Sequence, residues 1–558
     1  MPAEMRRLPV RRAQVDITDL KRELSRLQEG RQTWDNHWQE VKDRVWPDAA
    51  DFIGKREPGS RRTEKMYDAT AALALEKFAA AVESLLTPRQ QRWHKLAPAD
   101  NALRDDSEVK EWLELATDVL FQMRSAPESG FYSQAHEGYK SLGAFGNTCT
   151  FIEAREGGGA RYSHESVSRV YVALNQHGVV DTVYRCRKLT AKQAFQRWGE
   201  KAPAPVKQAL MRDPWQEHEY VHVVRPNQWR DPAALGPRAM AWELIHACLD
   251  HSEVIETGGY HQLPYVYSRY TVNPDETYGR SPAMLVLANI KTLNEMQKTF
   301  LRSGHRVADP PLLLHDDGAL GTGGRAIRLK NGGLNYGGLN AQGEPMIKPL
   351  VTNARLDITI EMAERERTTI NDAFLVSLFQ ILVDHPQMTA TEALIRAQEK
   401  GQLLAPAIGR QQSEMLGPMI DRELWIAIDQ GLLPPPPPQL LAYEIEYDSP
   451  ATQMQKAQEL VGLQRTVEIA APFLTVDPGL FMKFKPEIII QRAAEAQGVP
   501  LEMLRTDDEY AEARAQHDQA QAAARAVELA GGVGKAARDF AGAQAEMPTE
   551  GGPAGIAA

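Results

Sequence analysis

The chain has 558 residues, 43% of them hydrophobic, with a formal net charge of −10. That length allows about three or four domains, and no run of about 18 apolar residues offers a membrane span. Three widely spaced cysteines, Cys149, Cys186 and Cys248, fit a reducing compartment and argue against a disulfide framework or zinc ribbon; the acidic balance argues against tight nonspecific nucleic-acid binding through the general surface.

Met1 to Arg12 is basic but has no apolar core, so no secretory signal is expected. Asp16 to Val45 reads as a long amphipathic helix stopped by Pro47, with Trp34 and Trp38 spaced to pack on each other. Asp51 to Lys65 is a charged loop. Asp68 is placed to cap an alanine-rich helix that runs to Leu86 and closes at Thr87-Pro88. Asp106 to Met123 and Ser129 to Ala144 read as two more helices, the first carrying Trp112, Leu115 and Leu120.

The pattern changes at Gly146. Thr148 to Ala154 has β composition, Gly157 to Gly159 is a turn, and Val170 to Leu174 with Val179 to Arg185 reads as a hairpin across Asn175 to Gly178. Thr190 caps a short helix to Trp198, and Glu219 to Val224, Met240 to Leu249 and Tyr265 to Thr271 are strand candidates. Residues 146 to 275 therefore read as an α+β region beside helical neighbours.

Ser281 to Phe379 reads as two long helices around a glycine-rich insert. The first begins after Pro282 and runs unbroken to about Ala308, roughly 40 Å at 1.5 Å per residue. Leu293, Met296, Phe300 and Val307 share one face, and Lys291, Lys298, Arg302, His305 and Arg306 cluster on the other. That basic stripe is either a solvated face or one that looks at a polyanion. The second helix, Arg355 to Phe379, has two apolar stripes: Leu356, Ile360, Ala363, Ile370 and Phe374, and opposite them Ile358, Met362, Ala373 and Val376. Such a helix needs partners on two sides. Leu312 to Leu350 is too rich in glycine for a packed core.

Gln380 to Met388 is a short loop with Asp384, His385, Pro386 and Gln387. It reads as a simple connection or as a mobile gating loop. Thr389 and Glu392 form a capping box for a helix that pauses at Gly401 and Pro406, resumes to Gln430 and should kink at Gly417-Pro418. Pro434 to Pro438 is a stiff spacer before a strand at Glu444 to Tyr447. Thr452 to Ala470 and Glu487 to Gln497 are helical, and from Gly531 a Gly/Ala/Pro tail is expected to be disordered.

His218-Glu-Tyr-Val-His222 matches H-E-x-x-H, which needs a helix to aim both imidazoles at one metal. Its proline flanks and β-type residues point to a strand instead. There is no phosphate loop, and Gly321-Thr-Gly323-Gly324 opens no helix, so no nucleotide site is expected. No G-x-S-x-G elbow occurs, and Glu361, Glu364 and Glu366 read as a solvated or ion-paired helix face.

Several segments, taken in order, resemble the head-to-tail connector, or portal, proteins of short-tailed, podovirus-type double-stranded DNA bacteriophages. They are Tyr67-Asp-Ala-Thr-Ala-Ala-Leu-Ala with Leu85-Leu-Thr-Pro88, Trp93-His-Lys-Leu96, Tyr278-Gly-Arg-Ser-Pro-Ala283 leading into Ile290-Lys-Thr-Leu-Asn-Glu295, Asp309-Pro-Pro311, Met388-Thr-Ala-Thr-Glu392, Gly417-Pro-Met-Ile420 and Gly431-Leu-Leu-Pro-Pro435. The resemblance implies an α+β, mainly helical portal fold assembled as a ring of twelve subunits at one capsid vertex. On this sequence the wing falls at 1–281, the stem helices at 282–308 and 355–379, and the clip at 309–354. The tunnel loop falls at 380–388, the tunnel helix at 389–433, the spacer and return strand of the wing at 434–450, the helical crown at 451–530 and the tail at 531–558.

The implied partners are other copies of the chain, double-stranded DNA bound without regard to sequence, the terminase packaging motor, tail adaptors, capsid and scaffolding proteins, and internal core proteins. No catalytic activity, cofactor, metal or membrane is implied. The protein would sit in the virion after assembly in the host cytoplasm. Lys298, Arg302, His305, Arg306, Asp384, His385 and Gln387 would line the DNA channel, and Leu356, Ile360, Ile370 and Phe374 would lie between subunits. A hydrolase or nuclease of the packaging apparatus, or a non-viral helical scaffold, are the alternatives.

Overall fold

The computed structural model describes residues 16–54, 57, 59–104, 106–308, 312–314, 347–349, 356–376, 409–447, 510, 512–517 and 519–522. The chain divides into two compact units, Met1–Ala451 and Thr452–Ala558. The described residues of the second are helical. The expected tunnel loop at 380–388, the first part of the tunnel helix, the tail and the helices at 452–470 and 487–497 lie outside the described residues.

Helix α1 (Ile17–Val45) opens at Asp16, whose carboxylate accepts from the Thr18 amide. Leu20 and Leu24 of its first half cover one face of a sheet, while Trp38, Val41 and Val45 enter the main core. The Trp34 and Trp38 rings lie 5.5 Å apart, and both meet Tyr278. Helix α2 (Thr70–Leu86) buries Ala71, Ala74, Ala79 and Ala81 and packs on α4 (Phe131–Phe145). The approach is close enough that a Cβ on Gly143 would strike Leu75 and Phe78. Helix α3 (Ser107–Ser125) is capped by Asp106.

Strand β1 (His94–Pro98) pairs antiparallel with β12 (Tyr443–Tyr447), so the strand after the polyproline stretch returns to the N-terminal part of the chain. Trp112 Nε1 donates to the Pro434 carbonyl at 2.9 Å and holds the spacer down. Strands β2 (Asn147–Ala154), β3 (Ala160–His164) and β9 (Tyr265–Arg269) form an antiparallel sheet in the order β3-β2-β9. Strands β4 (Val170–Leu174), β5 (Val180–Thr190), β6 (Glu217–Pro226), β7 (Trp242–Cys248) and β8 (Glu253–Tyr260) form a five-stranded meander. Helix α1 covers one of its faces; α5 (Ala191–Trp198) and α6 (Ala204–Arg212) cover the other. Thr190 and Gln193 make a reciprocal capping box at α5.

Strands β1, β3 and β8 and helix α6 are not among the elements expected from the sequence. β8 carries Gly258-Gly259, where a Cβ would meet Leu244 or Met240, so the glycines that hide the strand from pattern reading also let it pack.

The His218-to-His222 motif lies on β6, as its flanks require. His222 Nδ1 lies 2.5 Å from the Tyr265 hydroxyl, and its ring stacks on His246 with centroids 4.2 Å apart. Burial pushes the His246 imidazole down to about 3 and His222 well below its ordinary value; the facing Arg185 and Arg197 guanidiniums push the same way.

The helix around Gly417-Pro418 does not simply kink. Residues 409–411 are α-helical, Gln412–Leu416 form a π turn, and α10 (Gly417–Asp429) follows with Pro418 in its first turn. Gln411 and Glu423 lie twelve residues apart, which on an unbroken α-helix would turn them about 120° from each other. Taking up one extra residue in the π turn brings them to within about 20°. Gln411 then reaches Ser268 and the Arg269 carbonyl on β9, while Glu423 accepts from Arg124 Nε at 3.0 and 3.1 Å and from Tyr162. Arg124 and Glu423 are wholly buried, with His94 Nε2 accepting from the guanidinium at 3.4 Å.

Two outcomes follow from this core. Glu423→Ala strands a buried guanidinium and should cost about 3–5 kcal/mol, read as a large fall in thermal midpoint, while the paired change Arg124→Met with Glu423→Leu should recover most of it. Because His222 and His246 are held neutral in the fold, they contribute stability that is fully present above the unfolded imidazole value of about 6.5. It is lost as pH falls from there toward about 3. Unfolding midpoints measured from pH 7 to pH 4 should fall, and His246→Phe should flatten that slope.

Candidate functional site: the helical stalk

The stalk is launched from a seam between two glycines. Gly146, at φ +72°, ends α4, and a Cβ there would lie 2.6 Å from the Gly279 carbonyl oxygen. A Cβ on Gly279 would lie 2.4 Å from the Gly146 oxygen. Only glycine permits both conditions. Asn147 ties the seam: its amide donates to the Phe145 and Gly279 carbonyls at 2.8 and 3.1 Å, and its oxygen accepts from the Gly279 amide at 2.8 Å. Ser281 Oγ donates to the Ala144 carbonyl and accepts from the Met284 amide, capping the next turn.

That turn is a separate helix, α7 (Pro282–Leu285). It breaks at Val286, and α8 (Leu287–Ala308) follows. The expectation of one unbroken helix from Pro282 is thus corrected. The break lets Ala283 and Met284 of α7, and then Leu287, Ile290 and Leu293 of α8, enter the same core. Helix α9 (Leu356–Ala373) runs beside α8, joined by Asn289 Nδ2 donating to Glu366 at 2.8 Å. Strands β10 (Leu312–Leu314) and β11 (Ile347–Pro349) pair antiparallel, so the chain beyond the helices begins and ends as a ribbon. Helix α9 stops at Ala373 rather than near Phe379, because Leu375 takes a left-handed conformation at φ +59°.

A polar knot fastens the stalk to α2. Buried Asn294 Oδ1 accepts from the Tyr67 and Asp68 amides at 2.7 and 3.1 Å. Asp68 receives the Thr70 amide at 2.8 Å and Arg367 Nη2 at 2.7 Å. Burial works against ionising Asp68, but its bonds to Thr70 and Arg367 outweigh it and hold the carboxyl below the usual range. Sequence reasoning assigns Asp68 only a capping role and gives Asn294 none. A lone amide among Ile290 and Leu293 on the apolar side of a helix is the available signal.

The expected interface residues separate. Ile370 and Phe374 are fully buried within the chain, Phe374 edge-on to Phe78 of α2 at 6.2 Å. Within the protomer, α2 and α8 already fill that side of α9. Ile360, in contrast, is 51% exposed and Met362 52%. On α8, Leu301 continues the face of Ile290 and Asn294 at two- and three-turn spacing, yet is 45% exposed. The Leu356 side chain lies outside the described residues.

The basic stripe also divides. Lys291 pairs with Glu40 of α1. Lys298 pairs with Glu295 at 3.0 Å and sits over the Tyr67 ring. Arg302 and His305 are exposed. The Arg306 side chain, and Asp384, His385 and Gln387, lie outside the described residues. Among the described residues, no group of three or more His, Cys, Asp or Glu side chains is placed to hold a metal ion.

Two curated relatives extend over nearly the whole chain. A probable portal protein of Bordetella phage BPP-1 is 28% identical over 538 residues, 94% of this chain and 96% of its own length. A portal protein of Salmonella phage epsilon15 is 25% identical over 549 residues, 96% and 97% of the two lengths. Among solved structures, a chain from the neck of an empty gene transfer agent particle is 13% identical, with a TM-score of 0.34, over 74% of this chain and 92% of that one. The family model for the bacteriophage head to tail connecting protein matches residues 18–504, and the chain belongs to that family.

Proposed function

We infer that this chain is the portal protein of a phage capsid vertex, a structural conduit for DNA rather than an enzyme. The family match across residues 18–504 carries the reading. The stalk supports it physically: two antiparallel helices leave the body at the Asn294 knot with apolar Leu301, Ile360 and Met362 half-exposed beyond it. Ile360 and Met362 lie on different sides of α9, so a neighbour on each side would cover them. A head-to-tail interface repeated around an axis closes a ring, and twelve copies is the number expected of the family.

In this ring, α8 and α9 are the stem, the insert between them is the clip that meets first the packaging motor and then the tail adaptor, and the wing and crown face the capsid interior. The wing takes in the β1–β12 pair. Arg302 and His305 are the exposed candidates for the DNA channel, with Lys298 and Arg306 beside them. Asp384, His385 and Gln387 would form the gating loop, a role that rests on the sequence alone.

The interface assignment separates two kinds of variant. Ile360→Asp with Met362→Asp should abolish the ring on light scattering while leaving the protomer's thermal midpoint within a few degrees, since both side chains already touch water. Ile370→Asp should unfold the protomer itself, because it buries an unpaired charge. Rings that survive the first pair of changes would move the interface elsewhere.

The channel assignment predicts weak, sequence-independent and steeply salt-dependent binding to duplex DNA. Lys298→Ala with Arg302→Ala should flatten the plot of log affinity against log salt by about one unit for each phosphate that these side chains neutralise, measured by fluorescence anisotropy at several salt concentrations. Unaltered slope, or tight binding to one sequence, would contradict it.

A further inference from the structure

We propose that the free edge of β8 accepts an extended, basic strand from a different polypeptide. The five-stranded sheet has two edges, and they are treated differently. At the start of the β4 edge the Arg31 guanidinium, itself buried, donates to the Val170 carbonyl at 2.7 Å and to the Val167 and Ser168 carbonyls of the turn leading into the strand at 2.9 Å, and the Tyr278 hydroxyl lies beside the Val172 backbone. Backbone groups that another strand would use are thereby occupied.

The β8 edge has no such seal: among the described residues, no side chain or loop bonds the outward backbone of Glu253–Tyr260. A bulge leaves Ile255 unpaired with β7, so the regular edge is Glu256 to Tyr260. Glu253 and Thr257 are exposed, and the strand carries two glutamates and no cation of its own; Glu256 pairs with Lys201 of the neighbouring turn at 3.3 Å, which leaves Glu253 as the freer carboxylate. At its far end the Gly236–Arg238 turn packs on β8 and presents Leu235, 96% exposed. An added strand would thus meet carboxylates at one end and an apolar side chain at the other.

A second copy of this chain fits that edge poorly. In a cyclic ring one edge must meet a different surface of the neighbour, and three of the other strand edges carry side-chain bonds to their backbone. Gln134 bonds the His164 amide on β3, Thr117 the Leu96 amide on β1, and Gln411 and Glu414 the Arg269 backbone on β9. Strands β10 and β11 are three residues each, too short to run along Glu256 to Tyr260, and β12 carries Glu444 and Glu446 and would set like charge against like. Charge complementarity therefore assigns the edge to a basic segment of another protein. The exclusion of a second copy rests on the ring proposed above; the charge of the edge does not.

The probe is a fluorescein-labelled decapeptide of alternating valine and lysine, with a control in which alternate valines are proline, added to the purified full-length protein. Anisotropy should show binding of the first only. Glu253→Lys, a surface change, should weaken it several-fold, and adding Glu256→Lys, which also breaks the half-exposed pair with Lys201, should bring the loss to about tenfold or more by reversing the facing charge. Hydrogen exchange should slow by about tenfold at Thr257 to Tyr260 on peptide addition and not at the β4 edge. Three results would overturn the proposal: equal binding of the proline control, protection confined to other strands, or β8 amides already protected in the peptide-free assembly, which would show that a neighbouring copy fills the edge.

Discussion

The meeting of Gly146 and Gly279 is the constraint on which the rest depends. Two backbones approach so closely that neither position tolerates a Cβ, and Asn147 spends both sides of its amide holding them there. This contact ends α4, starts the three-stranded sheet and aims the chain into α7 and α8 within a few residues. Ser281 then transfers the alignment into the helix by bonding α4 on one side and the first turn of α7 on the other. The direction in which the stalk leaves the body is therefore set first by backbone contact and then held by side chains, from Asn147 at the seam to Asn294 on α8.

A second set of contacts holds the chain where it returns. The π turn at Gln412–Leu416 keeps Gln411 on β9 and Glu423 on Arg124, while Gln430 accepts from the Gly159 amide at 2.6 Å. The helix that re-enters the body is thus tied at both ends to the same sheet that flanks the glycine seam. Anchoring both the exit and the return of the stalk in the same sheet fixes its direction at both ends. A buried ion pair is a costly way to add stability but an effective way to specify register.

Much of the fold is legible in the sequence. Asp16, Asp106 and Thr190 mark helix starts because an N-cap needs a short acceptor side chain. The strand placement of His218 to His222 follows from proline flanks and β-type residues. Other features are not legible, for identifiable reasons. The stripe of Ile370 and Phe374 announces burial, but a stripe does not say whether its cover comes from the same chain or from a neighbour; here α2 supplies it. The glycines of β8 mask a strand, and Val286, ordinary in a helix, gives no sign of a break. Lys298 and Lys291 stand on a basic face, yet their partners, Glu295 within the helix and Glu40 far away in the chain, differ in how visible they are to a periodicity argument.

The central claim is that copies of this chain close a ring around the stalk helices. Electron cryomicroscopy of the purified full-length protein tests it most directly. The expected images are closed rings with a central channel, α8 nearest the axis and Ile360 and Met362 covered by adjacent copies. Monomers, open filaments, or rings whose lumen is lined by the five-stranded sheet instead of the stalk would contradict it.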